Sequence, residues 1–309
     1  MLDPNIRRKS DIIDGHLSVQ HDIDGIPTFS VIEFNTSELC NRTCEFCPRV
    51  DPEVYPNRKL YLKVELMEKV ARDLSAFNYR GKILFSAFSE PFLHNELETL
   101  IALGRKYCPD ARIEVVTNGD FVTVERVRSL FDNGLTTLLT SMYDGPEQVE
   151  PLTAVRNELG LSDEQFILRV RYLSRDEHFG ITMSNRAGMI EIGELGVGKL
   201  KEPLKKQCFY PHYEMMVDYD GSVLLCPHDW GKKICAGNLS EESILDVWNN
   251  KTMAFVRRKL GASERGFAPC NVCDAEGTLM GKKHFEAWKD YYSRAVERPA
   301  GKTGCESES

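Results

Sequence analysis

Three cysteines fall within eight residues, Cys40, Cys44 and Cys47 of CNRTCEFC, directly after an apolar run, FSVIEF, at 29–34. Thiols at that spacing close disulfides, contribute to a tetrahedral zinc site that asks for a fourth ligand, or hold an iron–sulfur cluster through three protein ligands and leave one iron open. Seven further cysteines stand at 108, 208, 226, 235, 270, 273 and 305, as a late group and isolated members. In a chain expected to meet a reducing compartment, disulfides explain ten thiols poorly. Metal binding is the expected use, at two centres.

The elements that must position these thiols alternate. Strand-like segments are FSVIEF (29–34), KILFSAF (82–88), RIEVVTN (112–118), TTLLTSM (136–142), FILRVRYL (166–173) and GITMS (180–184). Between them run helical patterns, such as Val64, Met67, Val70, Leu74 and Phe77 at spacings of three or four, and the group Leu97, Leu100, Ile101 and Leu103. Six repeats of strand and helix predict parallel βαβ units, closed into a barrel or left as an open doubly wound sheet. Either way, functional groups gather past the C-terminal strand ends. There the sequence places the early cysteine loop, SEP (89–91), TNGD (117–120) and YDG (143–145).

Composition narrows the partners. The chain has 309 residues, 42% of them hydrophobic, enough for a sizeable core. Its formal charge of −8 argues against nucleic acid or an anionic membrane as the main partner. The N-terminus lacks the apolar stretch of a signal peptide, and no membrane-length apolar run occurs, so a cytoplasmic protein is expected. Residues 299–309 are expected to be a disordered tail, and 191–206 a linker.

CxxxCxxC with Phe46 before its third cysteine, placed after the first strand of a βα series, resembles the signature of the radical S-adenosylmethionine (SAM) superfamily. The resemblance implies that Cys40, Cys44 and Cys47 hold three irons of a [4Fe–4S] cluster, while SAM chelates the fourth iron through its amino and carboxylate groups. It also implies cofactor contacts: Ser89 and Glu90 near the amino group, Asn118 near the ribose, and Ser141 at the carboxylate. Either Arg169 or Arg171 would complete that last contact. Two residues apart on one strand, they point to the same face.

Cys208, Cys226, Cys270 and Cys273 are separated by 17, 43 and two residues, with a DG turn inside VDYDGSVLLC. This resembles the Twitch domain, a shortened SPASM extension that binds one auxiliary [4Fe–4S] cluster. The segment 238–260 between the ligands reads as helical, with Ser240 as N-cap and Glu241 and Glu242 in the first turn. The expected architecture is therefore α/β: a partial (β/α)6 radical SAM barrel with a C-terminal Twitch/SPASM-like extension of β-hairpin plus helix. Its expected boundaries are an N-terminal extension at 1–28, the barrel at 29–190, linker and Twitch domain at 191–285, and a C-terminal helix and tail at 286–309.

The spacing is similar to that of Twitch enzymes that dehydrogenate an aminocyclitol or epimerise an aminosugar. The resemblance implies hydrogen abstraction from a carbinol C–H of a carbohydrate, aminocyclitol or nucleotide-sugar substrate, with a flavodoxin or ferredoxin-type electron donor. Epimerisation needs a thiol hydrogen donor, for which Cys235 is the candidate; dehydrogenation needs a base. Arg186, past the last strand-like segment, is the candidate substrate contact, since arginine stays protonated. Two alternatives stay open. Modification of a ribosomally made peptide would commonly come with an N-terminal peptide-binding domain, and only 28 residues precede the first strand here. A zinc-binding scaffold would do no chemistry.

Overall fold

The computed structural model describes residues 5–17 and 25–293. Its strands are β1 (Val31–Asn35), β2 (Ser37–Glu38), β3 (Arg58–Tyr61), β4 (Lys82–Ser86), β5 (Arg112–Thr117), β6 (Thr137–Met142), β7 (Phe166–Val170), β8 (Glu214–Val217), β9 (Ser222–Leu224) and β10 (Cys235–Asn238). The α-helices are α1 (Asn5–Leu17), α2 (Val64–Ala76), α3 (Leu97–Tyr107), α4 (Val124–Asp132), α5 (Val149–Glu158), α6 (Tyr210–Tyr213), α7 (Ile244–Trp248), α8 (Lys251–Gly261) and α9 (Lys282–Ser293). One eight-stranded sheet runs β10-β9-β8-β1-β4-β5-β6-β7. The pairs from β1 to β7 are parallel, as is β8 with β1, while β9 and β10 continue antiparallel. The sheet is open, ending at β7 and β10.

Period-two alternation separates core from site. On β1, Ile32 and Phe34 join the hydrophobic core with Ile83 and Phe85 of β4 and Ile113 and Val115 of β5. There they meet Met67, Val70 and Leu74 of α2 and Leu100 and Ile101 of α3. Burying each such side chain contributes about 1.5–3 kcal/mol. The intervening residues, Val31 and Glu33, Lys82, Leu84 and Ser86, and Arg169, line an interior cavity on the other face.

The extension is welded to this sheet, because β8 takes the free edge of β1. The predicted DG hairpin forms: Gly221 has φ +90°, and a Cβ there would stand 2.7 Å from Asn238 Oδ1. At the start of β1, Ser30 Oγ bonds the Ile13 carbonyl of α1 at 3.4 Å and His284 Nε2 of α9 at 2.7 Å, tying both terminal helices to the sheet.

Three expectations are corrected. Residues 180–184 form no strand. His178, Phe179 and Gly180 all have positive φ, turning the chain away from β7. Arg171 Nη1 then donates to the carbonyls of Val170 and Gly180, at 2.6 and 2.8 Å. The sheet therefore has five strands from the barrel region, and β8 supplies a further parallel strand on the opposite side. Second, residues 238–260 form two helices. Asn250 caps α8 by accepting from Met253 N at 3.0 Å, which ends the run through α7. Third, the cap of α7 is Ser243, not Ser240: Ser240 is held by Asn238 Oδ1 at 2.6 and 2.8 Å, while Ser243 Oγ accepts from Asp246 N. The tail expected at 299–309 lies outside the described residues.

Candidate active site

One face of the sheet and the loops past its C-terminal edge line a cavity of about 350 Å³. Every cofactor contact expected from sequence reaches it: Cys40, Cys44, Cys47, Ser89, Glu90, Asn118, Ser141, Arg169 and Arg171, together with Arg186. Cys235 does not. It stands on β10, the far edge strand, with its Sγ 3.5 Å from Gly237 O. The hydrogen donor expected from sequence is thus absent from the cavity wall.

The early thiol loop is fixed from both sides. Asn57 accepts from Cys40 N at 2.9 Å and donates to Cys40 O at 3.0 Å. Arg49, buried beneath, donates to the same Asn57 and to Phe88 O. Asn41 donates to Asp120 at 2.5 Å and accepts from Asn118 Nδ2 at 2.7 Å. Arg42 spans Asp120 past β5 and Asp144 past β6, and its guanidinium lies 5.0 Å from the Tyr143 ring centre. Phe46 stacks on Tyr143 at 6.1 Å and meets Phe179 at 5.0 Å. The polar strand ends read from sequence as cofactor contacts therefore also carry the loop that holds the thiols.

Burial pushes all three thiols up, and for Cys44 the charges of Cys47 and Cys40 add to it, taking it to about 12. The late group behaves alike. Burial, reinforced by the other cysteines of the set, raises Cys226 and Cys270 well above the ordinary thiol range and Cys273 to about 11. Cys208 is raised by burial. Crowded, desolvated thiols of this kind become thiolates when a strongly cationic group binds them. Among the described residues, no three Cys, His, Asp or Glu side chains converge as ligands of a single ion would. An iron–sulfur cluster does not require that, since each of its thiolates sits on a different iron. Both groups fit such clusters, three thiols in the first and four in the second.

Glu90 is almost fully buried. Its carboxylate accepts from Thr117 Oγ1 at 2.7 Å, Asn118 N at 2.7 Å and Phe92 N at 3.0 Å. Burial outweighs these bonds and brings it up to about 7. Its carboxylate thus joins the β4 and β5 ends. On the opposite wall Arg186 and Ala187 adopt φ of 49° and 53°, a left-handed pair costing about 1–2 kcal/mol per residue. The surroundings hold it there. Asn185 is fully buried and donates to Gly198 O and Val272 O, both at 2.7 Å, and its own N–H donates to Asp274 Oδ1 at 2.7 Å. The loop carrying Arg186 is thereby pinned beside Cys273, and Arg186 Nε is buried with no hydrogen-bond partner among the described residues. Sequence singled out Arg186 but gave no signal for Asn185 as the support of its loop, or for Arg42 and Arg49 as supports of the early thiol loop.

Comparison with known proteins agrees with this geometry. Residues 34–180 match the radical SAM superfamily, and 208–274 match SPASM, an iron–sulfur cluster-binding domain. Residues 34–180 thus form a domain of the radical SAM type, followed by an iron–sulfur extension of the SPASM type. The S-adenosyl-L-methionine-dependent 2-deoxy-scyllo-inosamine dehydrogenase of Niallia circulans is 29% identical over 258 residues, covering 80% of this chain and 93% of that protein. The crystal structure of BtrN in complex with AdoMet and 2-DOIA is similar with a TM-score of 0.67 at 25% identity, covering 83% of this chain and 97% of that one. Native anSMEcpe with bound AdoMet shares the fold, with a TM-score of 0.51 at 13% identity over 86% of this chain and 98% of that one. Among the described residues no helix is long and apolar enough to cross a membrane.

Proposed function

We propose that this radical SAM enzyme oxidises a carbinol carbon of an aminocyclitol or related polyol. When bound at Cys40, Cys44 and Cys47, the cluster and SAM supply one-electron cleavage of a sulfonium and hence hydrogen-atom abstraction. The chain's own residues do the rest. Ser141 and Arg169 hold the SAM carboxylate, Ser89 and Glu90 shape the loop at its amino group, and Asn118 orients the ribose side. Arg171 keeps the β7 end in place beside them. Arg186 binds a substrate hydroxyl, held toward the cavity by Asn185. Cys208, Cys226, Cys270 and Cys273 would hold an auxiliary cluster with no position open to substrate, which would supply an acceptor for the second electron of the oxidation while the hydroxyl proton leaves to water. A flavodoxin or ferredoxin-type protein supplies the electron.

The observation that carries dehydrogenation over epimerisation is the make-up of the cavity wall. Among the described residues, its only thiols are Cys40, Cys44 and Cys47, all of them cluster ligands. The relative that dehydrogenates 2-deoxy-scyllo-inosamine supports the same outcome. Anaerobic reconstitution should give about eight iron and eight sulfide per chain. With 2-deoxy-scyllo-inosamine it should form 5′-deoxyadenosine and a ketone, and the Cys40→Ala/Cys44→Ala/Cys47→Ala variant should form neither while keeping about half of the iron. Full turnover by Cys235→Ala is expected; loss of product with continued 5′-deoxyadenosine formation would favour epimerisation.

A further inference from the structure

Away from the thiols, the cavity has a polar floor. Lys9 of α1, Glu33 of β1, Lys82 of β4 and Glu214 of β8 all line it, although they come from four separate elements. Three of the four are occupied within the protein. Lys82 Nζ lies 3.6 Å from Glu114, a carboxylate that also receives Arg8 and Arg112. Glu33 accepts from Ala87 N at 3.0 Å. Glu214 is hydrogen-bonded to Glu33, and burial together with that neighbouring charge keeps it protonated far above the usual carboxylate range.

Lys9 differs. It makes no hydrogen bond or ion pair among the described residues, and the charges around it are Arg169, Lys82, Glu33 and Glu214. Burial and the two cations lower it to about 8. An ammonium stem directed into a polar cavity with no acceptor at hydrogen-bond distance is costly unless a ligand supplies one. Next to it, the hydrogen-bonded Glu33–Glu214 pair offers an acceptor oxygen. A lone donor beside an acceptor pair matches two adjacent hydroxyls of a ring, one accepting and one donating. A substrate ammonium would instead meet Lys9 as a like charge.

We propose that Lys9, presented by the N-terminal helix, together with Glu33 and Glu214, forms a diol-binding subsite that fixes which face of a polyol substrate is turned toward the thiol end of the cavity. This rests on the polyol reading above and deepens it, assigning substrate orientation to a segment that precedes the barrel.

The test is anaerobic calorimetry on full-length, reconstituted, SAM-loaded protein with scyllo-inositol, which carries only hydroxyls, and with 2-deoxy-scyllo-inosamine. Lys9→Met should weaken binding of scyllo-inositol about ten- to a hundredfold, the loss of one charged hydrogen bond. SAM affinity should not change, and Lys9→Arg should restore most of the binding. Equal affinity in wild type and Lys9→Met would overturn the subsite and leave the polyol reading intact. Loss of SAM affinity in Lys9→Met would overturn it too, by showing that the lysine acts through the fold. Failure of the wild type to bind either compound would overturn the polyol reading and the subsite with it.

Discussion

Ser141 and Arg169 are register partners: the parallel β6–β7 pairing sets them side by side, and both side chains line the cavity. Neighbouring strands lie about 4.8 Å apart, so a hydroxyl and a guanidinium paired in this way converge on one small anion. Arg171, on the same face two residues later, instead spends Nη1 on the carbonyls of Val170 and Gly180. The two arginines, equivalent in sequence, are thereby given different tasks.

Their substitutions should separate accordingly. Arg169→Gln is expected to raise the Kd for SAM about ten- to a hundredfold, the worth of a charged hydrogen bond, with little change in melting temperature. Arg169→Lys should recover only part of this, because an ammonium lacks the planar fork. Arg171→Gln should mainly lower the melting temperature, since it leaves two carbonyls without their donor. SAM titration and thermal unfolding of the reconstituted proteins measure both, and a reversed pattern would exchange the assignments.

What sequence conveyed was local. The strands that became β1 and β4 to β7 were legible because β-branched and aromatic residues run through each, while the thiols stood out through their resemblance to a known motif. The segment at 180–184 has strand composition too, but positive φ at 178–180 and the Arg171 bonds to the Val170 and Gly180 carbonyls decide against it. The helix break at Asn250 was hidden because Asn is merely a weak helix former until its side chain caps a new start. Lys9 could not be found at all: on a short amphipathic helix a lysine reads as a solvated residue, and only the packing of α1 under the sheet turns it inward.

The Arg42 bridge predicts unequal cluster retention. Arg42 ties the loop between Cys40 and Cys44 to Asp120, about one-fifth exposed, and Asp144, about half exposed. Solvent screening leaves each pair worth about 1 kcal/mol or less, and Asp144 the smaller share. In Arg42→Ala the early cluster should release iron to a chelator roughly fivefold faster, while the auxiliary cluster keeps its wild-type rate. Asp120→Asn should reproduce more of this than Asp144→Asn. Iron release from the reduced protein, followed by chelator absorbance, resolves two phases, and equal acceleration of both would argue that Arg42 acts on the fold as a whole.

Glu114 makes the acid stability of the floor measurable. Burial alone would push this carboxyl up, yet Lys82 and Arg8, with hydrogen bonds from Arg8 and Arg112, hold it at about 2 against 4.5 for the free group. A carboxylate depressed in the folded state contributes stability above its unfolded value, and that contribution is lost as the pH falls toward the folded one. The window is therefore pH 4.5 down to about 2, and the size about 3 kcal/mol. Urea unfolding followed by far-UV circular dichroism should show wild type losing this much more across the window than Glu114→Gln, which cannot titrate there. The variant should also be less stable at pH 7, because the buried ammonium of Lys82 loses its carboxylate, a change of about 3–5 kcal/mol for a broken buried pair. Acid loss of the clusters affects both proteins alike, so the difference between their slopes isolates this residue, and identical slopes would show that α1 is not fastened to the sheet through Glu114.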